Sequence, residues 1–171
     1  MAWHPKSSWR QRGMRRGKKR QAIYWDANMF IRLLAGRVRD TLIYDAIYAT
    51  ATRVRDNQII LVTSSLTRTE VSYTHMRPNE LAIFDGIMRR RNVIDQPYDG
   101  PIATLADAIQ TELKKAGKQL STPDLMHCAT AVFHGVDELH TTDGALKACD
   151  GHPALRGVHV FTPNTGQSRL F

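Results

Sequence analysis

The sequence predicts an α/β protein: a mainly parallel central sheet with helices on both faces. Three observations carry this. Short β-branched runs alternate with longer segments of helical periodicity, the pattern of strands joined by crossover helices. The run QIILVT at residues 58–63 is continuously apolar, as a strand covered on both faces requires. The chain has 171 residues, enough for one domain with a real core and too few for two.

Residues 21–25, QAIYW, read as the first strand, and residues 27–34 as a helix ended by Gly36. Ile43, Ile47, Thr50 and Val54 recur at helical spacing and place a second helix over 41–55, stopped by Asn57. After the strand at 58–63, Ser64 and Ser65 offer caps for a helix over 66–75, and Pro78 starts another running to about residue 90. Residues 92–96, NVIDQ, make a short strand. Ile102, Leu105, Ile109, Leu113 and Ala116 advance by 3, 4, 4 and 3 and give the clearest helix. Ser121, Thr122 and Pro123 open a further helix closed by Gly135. Strands at 138–142 and 158–161 flank a single helical turn at 145–149.

The formal charge of +8 is unevenly placed. Residues 1–20 contain eight of the 24 basic residues and no acid, so the rest of the chain carries 16 basic and 16 acidic residues. The first twenty residues therefore read as a basic tail, disordered when free, and residues 21–171 as the folded domain. Such a tail suits phosphate contact, with Trp3 and Trp9 able to stack on bases, or it is a solubilising extension. It lacks the apolar centre of an export signal, its Arg-rich composition leaves an organelle transit peptide open, and no apolar run approaches the roughly 18 residues that span a bilayer. The expectation is a cytoplasmic protein without membrane contact. Cys128 and Cys149 lack the spacing of a zinc site and read as buried free thiols.

Four acids stand out because each follows a strand or opens a helix: Asp26 in IYWDAN, Glu70 in SSLTRTE, Asp124 in STPDLMH and Asp143 in TTDG. Each has a structural explanation. Asp26 is a good N-cap, Glu70 completes a Thr67-x-x-Glu70 capping box, Asp124 suits the first turn of its helix, and Asp143-Gly144 is a turn dipeptide. Jointly they are harder to dismiss, because strand ends in a parallel sheet converge on one crevice. Four carboxylates together repel unless a cation neutralises them, and oxygen-only ligands suit Mg²⁺ or Mn²⁺. His127, one turn beyond Asp124, is placed to orient a carboxylate or touch substrate, but reads more readily as a histidine packed beside the site or in the core. Arg32 and Arg68 are weaker candidates for phosphate contact.

Taken in order, IYWDANMFIRLL, LVTSSLTRTEV, STPDLMHCATA and ELHTTDGAL resemble the PIN-domain ribonucleases, closest to VapC-type toxins, over about residues 22–162. The resemblance implies a Mg²⁺- or Mn²⁺-dependent endoribonuclease in which Asp26, Glu70, Asp124 and Asp143 hold the ions and Asn28 and Thr142 support them. It also implies an RNA substrate, an antitoxin protein that covers the crevice, and a homodimer. The competing expectation is a non-enzymatic RNA-binding or adaptor protein of the same fold that relies on its basic tail. A phosphatase is disfavoured, since no Asp-x-Asp follows the first strand.

Overall fold

The computed structural model describes residues 20–36, 41–74 and 76–165. Of the basic tail expected at residues 1–20, all but Arg20 lies outside the described residues. The first strand, β1 (Ala22–Trp25), is buried along its whole length. Its side chains alternate between two cores: Ala22 and Tyr24 enter one, Ile23 and Trp25 the other. That alternation is the period-two geometry of a strand with both faces covered.

Four further strands complete the sheet: β2 (Ile60–Ser64), β3 (Val93–Gln96), β4 (Glu138–His140) and β5 (His159–Phe161). Their order is β3-β2-β1-β4-β5, and every neighbouring pair is parallel. The sheet is thus wholly parallel, where the sequence predicted a mainly parallel one. All strands run the same way, so everything that follows a strand emerges at one edge and everything that precedes a strand gathers at the other.

One face packs α1 (Ala27–Ala35), α2 (Thr41–Arg55), α3 (Ser65–Tyr73) and α4 (Pro78–Met88) around Trp25, Phe30 and Phe84, whose rings meet edge to face at 5.2 and 5.3 Å. The other face packs α5 (Gly100–Lys115), α6 (Thr122–His134), the short α7 (Gly144–Lys147) and a 3₁₀ turn (Pro153–Leu155) over Tyr24, Val62 and Leu139. Side-chain caps fix most helix starts: Asp26, Ser64, Asp99, Ser121 and Asp143 each accept a backbone N–H from the first turn that follows. Gly135 ends α6 in the left-handed region, at φ 57° and ψ 47°, which glycine adopts without steric cost. Cys128 and Cys149 are both buried free thiols, and burial raises the pKa of each. No helix among the described residues is long and apolar enough to cross a membrane.

Candidate functional site

Asp26 follows β1 directly and is 3% exposed. One carboxylate oxygen accepts the Met29 N–H at 3.2 Å, which caps α1. The other accepts the Thr141 hydroxyl at 2.5 Å and the Asn28 amide at 3.3 Å. The threonine at Asp26 is therefore Thr141, not the expected Thr142. Sheet register gives the reason: Trp25 pairs with His140 across β1 and β4, so the next residues, Asp26 and Thr141, stand side by side. Thr141 is fully buried, whereas Thr142 is half-buried and carries no such bond.

The Thr141 hydroxyl also accepts the Asp143 backbone N–H at 2.8 Å. Asp143 is thereby anchored two residues from the partner of Asp26, with its own carboxylate capping α7 through Leu146 N–H at 2.9 Å. The Asp143-Gly144 pair thus opens α7, and Asp143 shares Thr141 with Asp26 as a hydrogen-bond partner.

Glu70 behaves differently. Helix α3 begins at Ser65 with Ser64 as its cap, so Thr67 lies inside the helix and its hydroxyl bonds that of Thr63 at 2.8 Å. The Thr67-x-x-Glu70 capping box does not form. Glu70 Oε2 instead meets His127 Nε2 at 3.0 Å, and His127 Nδ1 meets the Tyr24 hydroxyl at 2.7 Å. In the Nε2–H tautomer the ring donates to Glu70 and accepts the Tyr24 phenolic proton at Nδ1. Tyr24 and His127 are 0% and 3% exposed, so β1, α6 and α3 are tied together by buried polar groups that satisfy one another.

Asp124 sits in the first turn of α6, where its carboxylate and the Ser121 hydroxyl form a reciprocal cap: Ser121 donates to Asp124 Oδ2 at 2.5 Å and accepts the Asp124 N–H at 3.3 Å. It lies three residues before His127, hence on the same side of the helix. Contacts thus join Asp26, Thr141 and Asp143 in one group and Glu70, His127 and Tyr24 in another. Asp124 shares their edge and bonds only within its own cap.

Electrostatics link the two groups. Burial pushes the Asp26 carboxyl above its usual pKa, a rise opposed by the Thr141 bond, the nearby His127 and the Asn28 and Met29 donors. Burial, followed by the charge of Asp26, pushes the Tyr24 hydroxyl well above its usual value. Among the described residues, none of the four acids is paired with a lysine or arginine. Arg68 does not serve them: it bonds Asp85 at 2.7 Å, approaches Asp95 at 3.7 Å and lies over the Phe84 ring. Arg32 is exposed at the end of α1.

The donor set is all oxygen, and no three Asp, Glu, His or Cys side chains among the described residues form a ready-made metal cage. Mg²⁺ suits such an arrangement, since it takes one or two carboxylates and completes its shell with water and phosphate oxygens. A buried, unpaired carboxylate of raised pKa is the group a cation would stabilise most. The oxygen chemistry of the four acids suits a hard divalent ion, while among the described residues no three of them are grouped to hold one.

Tyr24, Thr141 and the role of His127 were not identified from sequence. The Asp-x-x-His spacing was the one available signal for His127, while Tyr24 needed the packing of α6 against β1 and Thr141 needed the register of β1 with β4.

Solved structures share this fold. VapBC2 from Rickettsia felis, bound to a DNA fragment from its promoter, superposes with a TM-score of 0.60 at 14% identity, covering 82% of this chain and 97% of that one. FitAcB from Neisseria gonorrhoeae gives 0.56 at 19% identity, covering 82% and 97%. VapC20 from Mycobacterium tuberculosis, described as a Sarcin-Ricin loop cleaving toxin, gives 0.51 at 18% identity, covering 74% and 94%. A search of curated proteins finds no sequence match. The model of the PIN domain family matches residues 23–151, well over half of the chain. With that match and the wholly parallel sheet of five strands, the chain belongs to the PIN domain family.

Proposed function

We propose that this protein is a divalent-cation-dependent endoribonuclease that hydrolyses RNA phosphodiester bonds. What supports this reading is that Asp26, Glu70 and Asp143 come after strands β1, β2 and β4 of a wholly parallel sheet, which assigns them to one edge, and that among the described residues none of them is paired with a lysine or arginine. A structural role explains the caps at Asp26, Asp124 and Asp143. Glu70 caps nothing and is oriented by a histidine that a buried tyrosine orients in turn, which leaves its second oxygen for a ligand.

Asp26, Glu70, Asp124 and Asp143 would hold Mg²⁺ or Mn²⁺, which when bound supplies positive charge at the attacking and leaving oxygens of an in-line displacement. The chain's own contribution is positioning. Thr141 and Asn28 fix one oxygen of Asp26, and Met29 N–H fixes the other. His127 engages one oxygen of Glu70 and leaves the second for a ligand. Tyr24 sets the ring tautomer that makes this possible. No covalent intermediate is required.

The same reading makes the protein the toxin of a toxin–antitoxin pair, with an antitoxin chain covering the acidic crevice and a homodimer as the working unit. The likeness of the fold to VapBC2 and FitAcB supports it. The test is incubation of the full chain with defined structured RNAs in Mg²⁺, in Mn²⁺ and in EDTA. Cleavage with either ion and none in EDTA is expected. Binding without cleavage under every condition would favour the non-enzymatic alternative.

A further inference from the structure

The edge of the sheet opposite the acids carries its own charge. In a parallel sheet the segments that precede the strands gather together, and here those before the three adjacent strands β1, β2 and β3 are rich in arginine. They bring Arg20; Arg53 and Arg55; and Arg89, Arg90 and Arg91. Arg20 and Arg90 are half-buried and the other four exposed. Like charges gather at a cost unless a polyanion is their partner.

These guanidinium groups are mostly not consumed by ion pairs. Arg55 pairs with Asp56 at 2.9 Å, the one such pair of the set among the described residues. Arg20 bonds the Asn57 backbone and side chain, Arg53 bonds the Gln21 amide oxygen at 2.9 Å, and Arg90 bonds the Arg55 carbonyl at 3.0 Å. Those acceptors are neutral and leave the positive charge intact. Among the other acids at this edge, Asp137 accepts the Ala22 N–H at 3.0 Å, Glu138 meets His140 at 2.9 Å and Asp150 accepts the Val160 N–H at 2.8 Å. Asn92, buried, ties the loops together by donating to Val54 and Ile59 carbonyls at 2.8 and 2.9 Å. The arginines thus stand on a rigid base.

We propose that this edge is a phosphate-binding surface for RNA, distinct from the acidic edge where cleavage is placed. The choice of RNA among polyanions rests on the nuclease reading; the surface itself rests on the arginines. Planar guanidinium groups suit phosphate oxygens bidentately. Arg20 and Asp26 lie six residues apart along β1, roughly 20 Å at the rise of a strand, which exceeds the Debye length of about 8 Å at physiological salt. The acids therefore do not cancel the basic edge. In sequence, seven more lysines and arginines immediately precede Arg20, so the chain enters the fold at the basic edge.

The test is fluorescence anisotropy of the full chain with a fluorescein-labelled RNA duplex, in EDTA throughout, over a series of salt concentrations. Arg53→Gln/Arg89→Gln/Arg91→Gln should flatten the slope of log affinity against log salt by about three and weaken binding by about tenfold or more. Arg89→Gln/Arg91→Gln, which removes no hydrogen bond seen in the structure, should flatten it by about two. Melting temperatures of both variants should match the wild type. Unchanged affinity and slope in both variants would overturn the proposal. So would loss of all binding on deleting residues 1–19 while the triple variant in the full chain binds normally, or triple-variant loss of binding to phosphatidylglycerol vesicles with RNA binding intact. Because cleavage is blocked in EDTA, failure here is separable from failure of the nuclease reading, which would show as no cleavage in Mg²⁺.

Discussion

His127 Nε2 lies 3.0 Å from Glu70 Oε2, so a carboxylate on α3 takes its direction from a ring on α6. The ring takes its own direction from the Tyr24 hydroxyl on β1 at 2.7 Å. Under the proposed function Glu70 would hold a cation, and groups that orient a metal ligand commonly alter metal affinity or activity by about 10- to 100-fold when removed.

His127→Ala should therefore lower the cleavage rate by about 10- to 100-fold, and His127→Gln, which keeps a donor for Glu70, should recover part of it. Tyr24→Phe leaves Nδ1 without its partner and should cost about 1–3 kcal/mol of stability, with a smaller loss of rate. Single-turnover cleavage and thermal melts separate the two effects. Equal losses in the Ala and Gln variants would reduce His127 to packing.

Thr141→Val removes a donor to Asp26 and an acceptor for the Asp143 N–H in one step. It should destabilise the fold by about 1–3 kcal/mol and slow cleavage, while Thr141→Ser keeps both bonds and stays near wild type. Thr142→Val should be close to neutral in the same denaturant titration. A larger effect at Thr142 than at Thr141 would contradict the pairing.

His134 supplies a pH dependence. It is buried at the end of α6, bonded to the Gln96 side-chain oxygen at 2.9 Å, and burial lowers its pKa below 6.5. A group depressed in the folded state binds its proton more readily when unfolded. Its contribution is thus fully present above pH of about 6.5 and is lost as pH falls below that value. The difference in melting temperature between wild type and His134→Gln should shift against the wild type between neutral pH and pH of about 5. A difference independent of pH would contradict the assignment.

Much of the fold was legible in the sequence because hydrophobic period and caps acted together. The helix expected at 41–55 is α2, and Gly135 ends α6 as expected. Boundaries moved where a cap lay earlier than the apolar pattern suggested: Asp99 starts α5 at Gly100, and Ser64 starts α3 at Ser65. With Ser64 as the cap, Thr67 lies inside α3 and Glu70 belongs to no capping box. The 3₁₀ turn at Pro153–Leu155 has no periodic signature and was not foreseen. The supporting residues were hidden for a different reason: Tyr24 and His127 are 103 positions apart, and Asp26 and Thr141 are 115 apart. Strand register brings Asp26 and Thr141 together, the packing of α6 on the sheet brings His127 to Tyr24, and the common direction of the strands gathers the arginines of the opposite edge.

The most direct test of the central claim is to compare wild type, Asp26→Asn and Asp124→Asn for RNA cleavage in Mg²⁺ and for melting in EDTA. Burial raises the Asp26 pKa, so its ionisation at neutral pH works against folding, and Asn can still cap α1. Asp26→Asn should stay folded in EDTA, since relief of the buried charge is offset by the loss of one acceptor among the Thr141 and Met29 donors, and both variants should lose cleavage by at least about 100-fold. Full cleavage by both folded variants would contradict the account.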